Sequence, residues 1–297
     1  MRSEVKYLGY GLTIGIFIGA LIITGLVFAT ADSNAAPLEP LHAVLMTATP
    51  TNPTDIPSPT ITMAPSATPT ATNTVIPSPT ATLTVIEQMI AEGKLVVSGP
   101  LTRDQQIQLY EASIKFIAPT FQDSKKLGET INGTGYGSPA LICGPLSLAI
   151  LQSAGLIGYK DVVPYDFWLL NPYLGKDRAL INRIFPNEKY EDTLFKTPIN
   201  KFDWTIEPLL PGDFLFIKHG TGGNFDHILV VNRVDSQMRA YAVTNFGTME
   251  GYIINEVMLY DPNDPTVGMF HTWTEKQNAA LGSTGFGGFE LWRLKLP

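Results

Sequence analysis

Hydrophobic and polar positions fall along this chain in three successive patterns. Residues 8–29 form an unbroken uncharged run, LGYGLTIGIFIGALIITGLVFA. At about 1.5 Å per helical residue, such a run matches a hydrocarbon core of about 30 Å. Residues 36–84 lose all apolar periodicity and are dominated by Thr, Pro, Ser and Ala, with Ile-Pro-Ser-Pro-Thr at 56–60 and again at 76–80. A segment of this composition cannot bury a core, and residues 32–84 are expected to be a disordered, extended linker. Residues 85–297 carry the only alternation of helical and strand-like periods and are expected to form one globular domain.

Within that domain the helical signals come first. Thr84 opens a short apolar-periodic stretch. Thr102 is a good N-cap for a second one, with Asp104 in its first turn and Ile107, Leu109, Tyr110, Ile114 and Ile117 at helical spacing before Pro119. A glycine-rich loop, 133–137, leads to CGPLSLAILQSAGL. Pro145 suits the first turn of a helix, Gly155 suits its end, and apolar residues on nearly every side predict a buried central helix. A further helix is expected near 178–184. From Pro211 the pattern turns to short β-rich runs at 213–218, 227–234, 240–244, 252–260 and 289–294, separated by turn residues. Helices followed by an antiparallel sheet define an α+β fold, with the cysteine helix packed on the sheet.

Charge and compartment narrow the function. Arg2 and Lys6 precede the apolar run, so the positive-inside bias keeps the N-terminus in the cytoplasm and exports the rest. The run exceeds the roughly 7–15 residues of a cleaved signal peptide, and residues 1–31 read first as a transmembrane anchor. Ala29-Thr30-Ala31 leaves cleavage and secretion as the alternative. A net charge of −7 argues against a nucleic-acid partner. One cysteine and four histidines in the whole chain exclude disulfides and multi-cysteine metal clusters, and no cofactor is expected.

The single cysteine, Cys143, then becomes the candidate nucleophile. A helix N-terminus brings partial positive charge and free N–H groups to its sulfur, and both favour the thiolate. A histidine must take the thiol proton. His42 lies in the linker, His219 ends one β run beside a glycine-rich loop, and His271 lies far downstream. His227, at the head of a hydrophobic run, fits a rigid general base best. Asn245, at the end of the next run, is expected to orient the imidazole, with Asp261 in reserve. The competing reading is an inert buried thiol, which packs as a small hydrophobe.

These residues carry a resemblance. CGPLSLAILQSAGL resembles the nucleophile helix of the bacteriocin-leader-processing cysteine peptidases. PGDFLFIKHGTGGNFDHILVVNRV resembles the histidine hairpin of NlpC-type and CHAP-type cell-wall hydrolases. All belong to the papain-like superfamily, and the resemblance spans about residues 130–247. It implies a papain-like fold and a Cys143, His227, Asn245 triad. Such families place an oxyanion donor upstream of the cysteine; the position six before Cys143 is Gly137, which leaves Ser138 and Tyr136 as the donors.

The reading that follows is an exported, membrane-tethered cysteine peptidase or amidase. The resemblance points to peptide bonds, those of cell-wall peptidoglycan first, as the substrate. A non-catalytic surface-binding module of the same fold and an acyltransferase with the same triad are the alternatives.

Overall fold

The computed structural model describes residues 83–158, 162–275 and 282–296. The chain divides into two units, 1–75 and 76–297, and the described residues all belong to the second. The anchor expected at 8–29 and nearly all of the expected linker lie outside them. Among the described residues no helix is long and apolar enough to cross a membrane.

The domain mixes helices with antiparallel sheet, as the order of periodicities predicts. Helix α1 (Val85–Ala91) and helix α2 (Arg103–Ile114) both begin on capping boxes, in which Thr84 and Thr102 accept from the backbone N–H of Glu87 and Gln105. Helix α3 (Phe121–Asn132) follows and is capped by Thr120. Leu127 and Ile131, four residues apart, pack against the core, while its fully buried positions are Ser124 and Gly128. Helix α4 (Cys143–Ser153) is the predicted central helix, buried from Gly144 through Gln152. Gly155 ends it at φ +69°, a conformation that costs glycine little. Helix α5 (Gly175–Ile184) precedes strand β1 (Tyr190–Phe195).

Strands β2 (Phe214–Ile217) and β3 (His227–Val230) form the histidine hairpin, followed by β4 (Arg233–Val234), β5 (Ala240–Thr248) and β6 (Gly251–Tyr260). A short helix α6 (Met269–Thr274) and strand β7 (Phe289–Leu294) complete the domain. Two sheets result, with strand orders β1-β7-β2-β3 and β4-β5-β6, and every strand pair is antiparallel. The run 227–234 serves both sheets. Its first half pairs with β2, and its second half pairs with β5.

Two cores lie on opposite faces of these strands. One packs Leu146, Leu148 and Ile150 of α4 against Phe214, Phe216, Ile228, Val230, Val243 and Ile254. The other gathers Leu215, Ile217, Leu229, Val231, Ala240 and Ala242 with Trp204, Phe270 and Trp273. Side chains alternate between faces along a strand, so neighbours in sequence enter different cores. Burial of one such large side chain is worth about 1.5–3 kcal/mol, and apart from His227 both faces of β2 and β3 are apolar.

Candidate active site

Cys143 is the first residue of α4 and sits half-buried against the helix-side core. The position is fixed from two sides. Gly144 lies against the carbonyl oxygen of Phe167, where a Cβ would collide. The Ser147 hydroxyl donates to the Cys143 carbonyl at 2.8 Å and stands 3.4 Å from the Ile228 carbonyl, tying α4 to β3. Cys143 lines a cavity of about 270 Å³ together with Ala140, Leu141, Phe167, Leu169, Phe216 and Ile228, and with Phe225, Asn171 and Asp226.

Electrostatics at the sulfur pull both ways. Burial pushes the Cys143 thiol pKa up, and the Asp226 carboxylate pushes the same way. The backbone N–H groups of Ile228, Gly144 and Cys143 favour the thiolate and pull it down. Burial outweighs them, so in this arrangement the thiol holds its proton until something removes it.

The structure does not bring His227 to this sulfur. In the β2–β3 register His227 stands opposite Ile217, and Ile217 belongs to the second core. Ile228, the next residue, is the one that packs toward α4. The His227 ring is 2% exposed, lies 4.6 Å from the Trp273 ring, and hydrogen-bonds through Nε2 to the Thr244 hydroxyl at 2.8 Å. Burial pushes its pKa down to about 3, so it is a neutral core histidine at ordinary pH. Phe225 separates the two regions. It lines the Cys143 cavity and stands edge-on to His227 at 5.8 Å.

Asn245 lies on the cysteine face of β5. Its register partner Ile254 belongs to the helix-side core, whereas Thr244 shares the His227 face. The Asn245 amide donates to the Pro139 carbonyl at 2.7 Å, and its Oδ1 is buried without a partner. Asn245 therefore braces the 3₁₀ turn Pro139–Leu141 just before Cys143 and does not hold an imidazole. No hydrogen bond joins Cys143, His227 and Asn245 to one another among the described residues. Strand pairing does bring β5 beside the 227–234 run as expected. The phase of the alternation decides which residues of each strand meet.

Neither expected oxyanion donor lines the Cys143 cavity. Ser138 faces a neighbouring cavity of about 440 Å³ with Lys125, Glu129 and Tyr252. Tyr136 is exposed and packs edge-on against Tyr165 and Trp168, whose rings stack at 5.5 Å. Of the remaining histidines, His271 approaches Glu275 at 3.4 Å, and His42 lies outside the described residues.

Two features of the site lie outside the expected set. Asp226, the residue before His227, is the carboxylate on the cavity, and its Oδ1 holds His219 Nδ1 at 2.6 Å. Leu169–Asn171 form one wall, and Leu169 does so with a strained φ of +53° and 61% exposure. A non-glycine residue in this region costs on the order of 1–3 kcal/mol, and such strain gathers at functional sites. Trp168 is half-buried and packs with Tyr136 and Tyr165, whereas Trp204, Trp273 and Trp292 are core residues. The Asp-His dipeptide and the positions of Gly and Pro were visible in the sequence, but the phase that turns Asp226 and not His227 toward the cysteine was not.

Among the described residues no group of three or more His, Cys, Asp or Glu is arranged to hold a metal ion. No family model, curated protein or solved structure matches the chain.

Proposed function

We propose that the domain is a papain-like, Cys143-dependent peptidase or amidase, exported and held at the membrane by residues 8–29. The carrying observation is the placement of Cys143: first residue of a buried helix and part of a cavity wall, with backbone N–H groups of Ile228, Gly144 and Cys143 that favour its thiolate. Helix N-terminal charge and these N–H groups favour the thiolate at the moment the proton leaves. The thiolate attacks the scissile carbonyl carbon and forms a thioester as the amine departs. Water then hydrolyses the thioester and restores the thiol. The apolar walls formed by Leu141, Leu169, Phe216 and Ile228 favour a peptide with an apolar side chain beside the scissile bond. Peptidoglycan cross-links remain the first substrates to assay, and surface peptides with bulky apolar residues come next. Acyl transfer to an amine would use the same thioester.

A second reading has its own observation. The desolvated thiol and the neutral, buried His227 describe a domain that binds a peptide in the cavity without cleaving it. One experiment separates the two. A muropeptide and peptide library is incubated with the parent and with Cys143→Ala. Cleavage by the parent that falls roughly a thousandfold or more in the variant supports the enzyme. Equal turnover by both, or binding without turnover by both, rules it out.

A further inference from the structure

We infer that the Cys143 cavity is a subsite for a primary ammonium carried on an apolar stem, with Asp226 as the residue that selects it. The inference rests on the peptidase reading above and narrows its substrate class. Among the described residues that line the cavity, Asp226 is the only charged one. The rest of the wall is apolar except for the Cys143 thiol and the Asn171 amide. The Asn171 Oδ1 already accepts the Tyr173 backbone N–H at 2.9 Å. Asp226 therefore supplies the acceptor for a cation.

Only one oxygen of that carboxylate is in use. Oδ1 accepts the His219 backbone N–H at 2.9 Å and pairs with the His219 ring Nδ1 at 2.6 Å. Among the described residues no hydrogen bond or ion pair reaches Oδ2. An ammonium brings three donors and no acceptor, the complement of a carboxylate oxygen. The Asp226 side chain is about one-third exposed, so a ligand reaches it in the folded domain. Its charge is also felt at the sulfur. Burial is the main cause that raises the Cys143 thiol pKa, and the Asp226 carboxylate adds to it.

The loop before β3 holds the carboxylate in place. The Asn224 backbone N–H donates to the Ser283 carbonyl at 2.9 Å, and the Asn224 Oδ1 accepts the Ser283 N–H at 2.8 Å. Gly223 lies against the carbonyls of His219 and Ser283, where a Cβ would clash. A carboxylate fixed beside apolar walls attracts a cation more than one on an open surface, because less ordering remains and less water screens the pair. The cavity, about 270 Å³, is smaller than the roughly 300–1,000 Å³ of a whole ligand pocket, so it takes one residue of a substrate. Two kinds of residue share the required chemistry. A lysine-like side chain lays its stem along Leu141, Leu169 and Phe216 with the ammonium at Asp226, and an N-terminal residue does so with an apolar side chain and its α-ammonium.

Thiol reagents test the charge preference without a substrate. Cys143 is modified by methanethiosulfonates that carry an ammonium (2-aminoethyl), a sulfonate (2-sulfonatoethyl) or no charge (methyl). The thiolate forms a mixed disulfide and methanesulfinate leaves. The parent, Asp226→Asn and Glu250→Gln are compared, with folding checked by thermal unfolding. The expected result is an ammonium-to-neutral rate ratio that falls about tenfold in Asp226→Asn, with a sulfonate-to-neutral ratio that rises. Glu250→Gln makes the same change in net charge outside the cavity and keeps the parent ratios. Parent ratios retained in Asp226→Asn overturn the inference. Peptides matched except for one ammonium test it in the parent cavity. One pair has a free or acetylated N-terminus, the other a lysine or a norleucine. Cleavage is measured with the parent and binding with Cys143→Ala by calorimetry. A preference of about tenfold for the ammonium member is expected in one pair, and that pair names the source. Equal handling within both pairs overturns the inference, whether or not Asp226→Asn folds. If Cys143→Ala abolishes cleavage and the ammonium changes nothing, the peptidase reading stands and this assignment alone falls. If Cys143→Ala cleaves as the parent does yet binds the ammonium peptides about tenfold more tightly, the peptidase reading falls and the subsite stands.

Discussion

The two faces of the β2–β3 hairpin hold the same kinds of residue and do opposite things. On the helix side, Phe216 and Ile228 leave a cavity at the Cys143 sulfur, with Asp226 at its end. On the other side, Ile217, Leu229 and His227 are sealed under Trp273, and the histidine is left neutral with a threonine for a partner. A titratable group in a strand gains its chemistry from the face it occupies, and one step along the chain changes that face. Asp226, the residue before the histidine, lines the cavity that contains Cys143.

The largest consequence is for stability. Trp273→Ala removes the lid over His227 and is expected to cost about 3–5 kcal/mol in urea unfolding. Leu141→Ala removes a wall of the cavity where the side chain is 39% exposed, and is expected to stay within about 0.5 kcal/mol while weakening peptide binding. Equal costs at the two sites would erase the distinction between a sealed face and an open one.

Acid should affect the faces differently. The unfolded His227 imidazole binds its proton near pH 6.5, and the folded one near 3. Below pH 6.5 the unfolded state therefore binds the proton and the native state does not. Stability from this group is full above about 6.5 and declines as pH falls toward 3, with a limiting slope of about 1.4 kcal/mol per pH unit. His227→Gln should remove that slope from the pH dependence of urea unfolding. A variant that keeps the parent slope would place a solvated histidine at this position.

A smaller effect is expected at Asn245. Its amide supports Pro139, four residues before the nucleophile. Asn245→Ala should cost about 1–2 kcal/mol, near the value of one buried hydrogen bond, and slow Cys143 labelling by a fewfold. Labelling that is unchanged while stability falls would limit Asn245 to a structural brace.

Much of the fold was legible because its signals are local. Thr102 caps the helix it was expected to cap, a helix forms after Thr84, Cys143 opens α4, Gly155 closes it, and the five β runs return as strands. Helix α3 was missed although its signals are local: Thr120 caps it and Leu127 and Ile131 face the core. Strand β1, YEDTLF, was hidden because it pairs only with β7 and leaves charged residues exposed. The site was legible in part. Cys143 was found from helix geometry, but the face of His227 was not, because β2 and β3 read FLFI and HILV with both sides apolar. Alternation shows a phase only where one face is polar. The same continuity hid Asp226, which lies outside the strand and shows no period.

The separation of Cys143 from His227 is the central claim, and histidine NMR tests it directly. Imidazole ¹⁵N shifts are followed between pH 3 and 9, before and after alkylation of Cys143. The separation predicts a His227 ring that stays neutral to about pH 4 and is unmoved by alkylation. A His227 ring that titrates near neutrality and shifts when Cys143 is alkylated would contradict it.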